Sequence, residues 1–312
     1  MNFNKTVEAP NNIMPGNNRK TQKKHKKQCR KGAAKKRDNN DDASRIVDAL
    51  SEELNKIVIS DDDLFKDPPP KQECPICFLP MAYAVGVGVV QVHQPCCGKI
   101  LCDGCLLAAK GEMDNGNIKE CCPFCREPVP NSEEELLIRC KKRMEAGDAE
   151  ALYMLGCLYE NGHGGLPQDK KKGFELMLQA AKLGSINAHY SITNSYWNGG
   201  NLDEKNEEKV EHHYKLAAIG GHEKARHNLG IIEQEIYEDM DKAMKHYMIS
   251  ARAGYAASLK EVGVGYKKGY VTKDEYASAL RAYKNSQDEM KSEQRTKATA
   301  LNASQPSGRR FL

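Results

Sequence analysis

Nine cysteines stand between Cys74 and Cys125, in the order CPIC, CCGKILCDGC and CCPFC. Three pairs at two-residue spacing, Cys74 with Cys77, Cys102 with Cys105 and Cys122 with Cys125, can each form a tight turn offering two thiolates to one metal. Cys96 and Cys97 add a further cluster between them. Zinc takes four such ligands in a tetrahedron, so the set suffices for two zinc ions. A redox dithiol shows one Cys-x-x-Cys beside a strand–helix unit rather than three pairs. A catalytic zinc keeps an open position near acid–base groups, and the acids in this stretch (Asp103, Glu112, Asp114 and Glu120) read as surface residues. The chemistry is therefore that of structural zinc, which in small fingers contributes on the order of 10–16 kcal/mol to folding.

The elements that position these ligands are short. Val85–Val92 is β-branched and reads as a strand or hairpin, and Leu106–Ala109 reads as a short helix. This order, with CPIC, CGKILCDGC and CPFCR, resembles the RING finger family over residues 74–130. The resemblance implies a cross-braced fold in which alternate ligand pairs share a zinc. Cys74, Cys77, Cys102 and Cys105 would make site one, and Cys122 and Cys125 would anchor site two. Where the family carries a histidine this chain has Lys99, and a protonated ammonium has no lone pair for a metal. The remaining ligands of site two come from Cys96 and Cys97, from Cys121, or from His93. Neighbours in an extended strand point opposite ways, so joint use of Cys96 and Cys97 needs a turn, which Pro95 and Gly98 favour.

RING fingers mostly act as ubiquitin ligases that dock a ubiquitin-conjugating enzyme without covalent catalysis. On that resemblance Ile76 matches the apolar contact to the conjugating enzyme and Pro123 the second wall of its groove. Arg126 matches the cation that bridges conjugating enzyme and ubiquitin. The Trp of many ligases is missing between the third and last pairs, and Leu106 or Leu107 would fill its place. Packing of the zinc turns accounts for Ile76 and Pro123 equally well. A non-catalytic scaffold braced by zinc therefore stands beside the ligase.

The rest of the chain carries this module. Net charge is +4, yet Met1–Arg45 holds thirteen Lys or Arg against four acids, leaving the remainder acidic. No apolar run approaches the roughly 20 residues of a membrane helix, and no secretory pattern opens the chain. Free cysteine pairs then point to a reducing compartment, cytoplasm or nucleus. Residues 1–43 lack apolar side chains enough to fold and are expected to be disordered. Their basic run, Arg19–Arg37, suits nuclear import or a nucleic-acid contact, though it offers no aromatic for base stacking. Cys29 within it reads as a free thiol.

Residues 44–60 carry Ile46, Val47, Leu50, Leu54, Ile57 and Val58 at helical spacing, and 61–73 reads as an acidic, proline-stiffened linker. After residue 130, Ser132 and Glu135 form a capping-box pattern that opens a helix. From Gly147 the chain repeats: GDAEALYMLGCLYENG, GSINAHYSITNSYWNG, GHEKARHNLGIIEQEI and GYAASLKEVGVGYKKG start at 147, 184, 221 and 254. Ala151, Ala188, Ala225 and Ser258 coincide, and so do Leu155, Ile192, Leu229 and Val262. The pattern resembles Sel1-like repeats, relatives of the tetratricopeptide repeat, implying helical hairpins stacked over 131–287 as a protein- or peptide-binding solenoid. His189, His212, His213, His222, His227 and His246 recur without cysteine partners and read as packing. Cys140 and Cys157 read as small buried apolar groups and Trp197 as packing. The fourth unit has a weak second helix, Lys273 to about Asn285, that would cap the array, and residues 288–312 are expected to be disordered. The expected fold is mainly α: a two-zinc module, then an α-solenoid, between disordered tails.

Overall fold

The computed structural model describes residues 37–83, 90–114, 120–198 and 206–304. Most of the expected N-terminal tail, including Cys29 and the basic run up to Lys36, lies outside them, as do residues 85–89 of the expected strand. By its contacts the chain parts into Met1–Asp41 and Asp42–Leu312; the described residues of the first unit are the opening of helix α1 (Arg37–Asn55), and the packing below belongs to the second.

Helix α4 (Glu133–Glu145) leads into four hairpins. They are α5 (Ala149–Asn161) with α6 (Lys170–Lys182), α7 (Ile186–Asn198) with α8 (Glu207–Ile219), α9 (Glu223–Glu235) with α10 (Met240–Arg252), and α11 (Ala256–Lys268) with α12 (Lys273–Glu289). One local device starts every hairpin. Gly147, Gly184, Gly221 and Gly254 all take φ between 78° and 101°, the left-handed region that costs glycine nothing. The amide after each glycine then reaches back five residues to a carbonyl, from Asp148 to Arg143, Ser185 to Ala180, His222 to Ala217 and Tyr255 to Ser250. This is the Schellman closure of one helix. The same residue opens the next helix: Asp148, Ser185 and His222 accept amide bonds of its first turn through their side chains. Tyr255 makes no such bond. Ala151, Ala188, Ala225 and Ser258 are all fully buried, so the aligned small residues are where helices approach most closely. Ser132 caps α4 as expected, but Glu135 answers the Asn131 amide rather than that of Ser132.

Three expected boundaries are corrected. The first helix begins at Arg37 and ends at Asn55; Val47, Leu50 and Leu54 pack on the repeats, whereas Ile46, Ile57 and Val58 stay exposed. The acidic segment is no mere linker. It makes a one-turn helix, α2 (Asp61–Leu64), capped by Ser60. Leu64 is buried against Ala217, Ala218, Ala225 and Leu229, and the Arg226 guanidinium donates to the Leu64 and Ala218 carbonyls. At the C-terminal end, α12 runs on to Glu289 and a further helix, α13 (Glu293–Ser304), falls inside the stretch 288–312 expected to be disordered. That helix packs on the cysteine module, a tertiary contact that overrides a polar local sequence. Residues 305–312 lie outside those described.

Residues 44–71 therefore run across the second helices of successive hairpins. Glu53 pairs with Lys182 of α6, the Leu54 carbonyl accepts from His212 of α8, and Asp61 pairs with Lys242 of α10. Lys71 ends the run, donating to the Ala253 carbonyl and the Ser286 hydroxyl. The cysteine module lies along the inter-repeat turns. Tyr83 stacks on His222 and donates its amide to Glu223, and Tyr255 and Met290 pack into the module's core. No helix among the described residues is long and apolar enough to cross a membrane.

The histidines pack rather than gather. His213 and His246 are fully buried, and His189 Nδ1 lies 3.0 Å from His213 Nδ1. His222 stacks on Tyr190, and His246 lies against Phe65. Cys140 is buried, Cys157 is half-buried, and Trp197 packs on the core of the first hairpins.

Two predictions follow from this packing. Leu64→Ala should lower unfolding stability by about 2–4 kcal/mol, read from the urea midpoint, since Leu64 is only 2% exposed. Burial also holds His222 and His246 at about 3, and His189 and His227 at about 4. In the unfolded chain each histidine takes its proton near pH 6.5. Stability from these groups is thus complete above about pH 6.5 and falls as pH drops towards 4, by up to about 1.4 kcal/mol per pH unit per histidine. Urea midpoints that do not fall between pH 7 and pH 5 would contradict this.

Candidate metal centres

Two of the cysteine turns are built alike. In the first, the Phe78 amide donates to the Cys74 carbonyl, the Cys74 amide to Leu79, and the Met81 amide to Gln72. In the third, forty-eight residues on, Arg126 donates to Cys122, Cys122 to Glu127, and Val129 to Glu120. Each turn is closed by an isolated bridge, Glu73 with Pro80 and Cys121 with Pro128. Phe78 and Arg126 carry the strained position, with φ of 57° and 65°, at a cost of about 1–2 kcal/mol each. Cys121 thus occupies the place of Glu73. Next to a ligand on an extended segment it faces away, and it takes no part in a cluster.

The central ligands come from a hairpin. Strand β1 (Gln91–His93) pairs antiparallel with β2 (Ile100–Cys102), setting Gln91 against Cys102 and His93 against Ile100. Between them the Gly98 amide donates to Gln94 and the Gln94 amide to Lys99. This is the turn that Pro95 and Gly98 were expected to favour, and it brings Cys96 and Cys97 to one side. Cys102 ends β2, and Cys105 lies in the first turn of α3 (Asp103–Asp114).

Two four-sulfur clusters result. One joins Cys74, Cys77, Cys102 and Cys105, the other Cys96, Cys97, Cys122 and Cys125; in each, all sulfurs lie within 4.8 Å of one another. Zn–S bonds of about 2.3 Å in a tetrahedron put sulfurs about 3.8 Å apart. Cys74 and Cys105 lie 3.9 Å apart, Cys77 and Cys102 3.8 Å, and Cys96 and Cys125 3.4 Å. None of the eleven described cysteines is paired in a disulfide. Without a cation the sulfurs oppose each other's ionisation. A hydrogen bond from Cys102 pulls Cys74 down to about 4, while burial pushes Cys105 up to about 12 and raises Cys96 and Cys97. A dication favours all four thiolates together, so the donor sets fit zinc.

His93 is placed elsewhere. Its Nε2 lies 3.1 Å from Asp148 Oδ2, which also accepts from Arg143 Nε at 3.0 Å, while Asp148 Oδ1 caps α5. Although burial opposes it, His93 and Arg143 hold the Asp148 carboxylate below its usual range. Gly98 takes φ of 71°, the left-handed region that favours glycine, and a Cβ there would also push against the ends of the Arg143 and Asp148 side chains. Of the residues matched to partner binding, Ile76, Leu106 and Pro123 are half-buried and Arg126 is exposed. Ile76 and Leu106 also pack on the module's core. Phe78 and Phe124 had drawn no attention in the sequence. They stand 70% and 42% exposed on the same turns, and Lys99, barred from the metal, lies over the Phe124 ring.

The Sel1 repeat family model matches residues 149–185, the first hairpin through its closing turn. Among curated proteins no sequence matches the chain significantly. Similar solved structures include a Sel1 repeat protein from Oxalobacter formigenes (20% identity, TM-score 0.44, covering 50% of this chain and 66% of that one). Another is c5321, a protective antigen present in uropathogenic Escherichia coli strains displaying an SLR fold (20%, 0.39, covering 64% and 43%). A third is the immunity protein Pa5087 from Pseudomonas aeruginosa (16%, 0.34, covering 64% and 81%). The chain thus spans less than two thirds of the first two, and these distant likenesses carry nothing about what it does.

Native mass spectrometry should find two zinc ions on the purified protein, falling to one in Cys96→Ser and staying at two in Cys121→Ser and His93→Gln. Loss of a zinc from either of the last two variants would return that residue to the ligand set. One hairpin of the four, residues 149–185, matches the Sel1 repeat family model, the other three open on the same glycine turn, and the cysteine module has two clusters that could bind metal.

Proposed function

We propose that the protein is a zinc-braced RING-type ubiquitin ligase whose repeats hold a protein partner. The observation that carries this reading is the interleaving of the ligands. Cluster one takes its pairs from 74–77 and 102–105, and cluster two from 96–97 and 122–125, so the pairs of the two sites alternate along the chain. Such a cross-brace holds the first and third cysteine turns in a set relation, as a docking surface for a conjugating enzyme requires. On that surface Ile76, Leu106 and Pro123 would supply apolar contact. Arg126, exposed beside Cys125, would bridge conjugating enzyme and ubiquitin. Zinc, when bound, supplies the brace and no bond-making chemistry.

A second reading rests on a different observation: Ile76 and Leu106 are partly spent on the module's own packing. On it the module is a zinc-stabilised part of a protein-binding scaffold. Either reading places the protein where thiolates stay reduced, in cytoplasm or nucleus, with the basic run 19–37 serving import or a contact to nucleic acid.

Autoubiquitination with purified activating enzyme and a panel of conjugating enzymes decides between them. The ligase should give product that is lost on chelation and reduced about 10- to 100-fold by Arg126→Ala, the range for one charge-assisted hydrogen bond. Silence across the panel from a zinc-loaded protein leaves the scaffold.

A further inference from the structure

The helix after the repeats brings a cation to the first cluster. Arg295 of α13 is only 2% exposed. Its Nη2 donates to Cys77 Sγ at 3.4 Å and to the Leu79 carbonyl at 3.0 Å; its Nη1 donates to the carbonyls of Pro80 at 2.7 Å and Met290 at 2.9 Å. The guanidinium therefore seals the back of the Cys74–Cys77 turn while touching a sulfur of site one. The approach is close. A Cβ on Gly104, between ligands Cys102 and Cys105, would lie 2.7 Å from the Arg295 amide nitrogen and 2.9 Å from its Cα.

The electrostatics favour a metal-bound cluster as the counter-charge. A buried guanidinium needs compensation, and three of its four acceptors are neutral carbonyls. Four thiolates around a zinc dication carry two net negative charges, and Arg295 offsets one of them. Hydrogen bonds to ligating atoms from outside the first shell commonly change metal affinity 10- to 100-fold.

We propose that Arg295 is a positioning residue for the first zinc, an outer ligand that retains the metal and through which the metal retains α13 on the cysteine module. The proposal rests on the zinc reading above and extends it to a helix outside both the cysteine module and the four hairpins. Metal at site one and docking of the C-terminal helix are then one equilibrium: each stabilises the other by the same factor.

The test uses the full chain in the Cys96→Ser background, where site one holds the remaining zinc, and follows metal transfer to a coloured chelator. Arg295→Met keeps length and apolar bulk without charge; it should release zinc at least tenfold faster, and Arg295→Lys should fall between it and the parent. In the otherwise wild-type chain, Arg295→Met should leave the second zinc's release within twofold. Hydrogen exchange of the wild type adds an independent readout. Amides of 293–304 should lose protection on chelation while those of α5 and α6 keep theirs. Circular dichroism checks that Arg295→Met stays helical, and Arg295→Lys carries the comparison if it does not. Unchanged release in a folded Arg295 variant overturns the proposal, and so does a C-terminal helix equally protected with and without metal. In either case two bound zincs would leave the zinc reading standing. A chain that binds no zinc at all overturns both.

Discussion

The convergence of sulfurs is the constraint on which the cysteine module depends. Its core is small: Cys74, Met81, Ala82, Leu101, Cys102 and Cys122, closed by Met290 from the repeats. So little apolar burial cannot offset the ordering of residues 74–130. Drawing four thiols together twice adds mutual repulsion once they ionise. A dication bound at each cluster would turn that liability into the principal source of stability. Because one cluster ties the first turn to the end of β2 and the start of α3, and the other ties the β1–β2 turn to the third turn, removing a metal bound at either would loosen the first and third turns relative to each other.

What the module is fastened to has a different physical origin. Four hairpins bury three apolar clusters, with small residues at the aligned positions where helices meet. Their repeating turns leave an edge of helix N-termini, which favour negative charge. Asp148 uses this edge twice, capping α5 with one oxygen and receiving His93 and Arg143 with the other. Glu223, in the first turn of α9, accepts the Tyr83 amide. The face of second helices is covered by residues 44–71, and Arg226 spends its charge on backbone carbonyls there. In this arrangement buried charges act as fasteners between segments distant in sequence, each tied to several acceptors.

This packing bears on function. A protein whose module and repeats share fasteners presents them in one set geometry, so that anything held by one is placed relative to the other. The first and third turns carry Arg126, Phe124 and Phe78 outward, while Ile76 and Leu106 look partly inward.

By itself the sequence determined those features that are local. The cysteine pairs, the Lys99 departure and the need for a turn at Pro95–Gly98 could be read because a tetrahedral ion sets its ligand spacing. The repeats could be read because a Schellman glycine and a small residue four positions later recur at each start. Only the tertiary structure separates Cys96 and Cys97 from Cys121 and His93: the hairpin turn brings the first two into a cluster, Cys121 lies outside it at the bridge to Pro128, and His93 lies against Asp148. It also decided that a polar stretch after residue 288 holds a helix. Nothing within Glu293–Ser304 is strongly amphipathic, and the order comes from Gly104 admitting its backbone and from Arg295 reaching carbonyls and a sulfur more than two hundred residues away in sequence. Those partners meet only once the repeats have folded back on the module, and no local pattern records that distance.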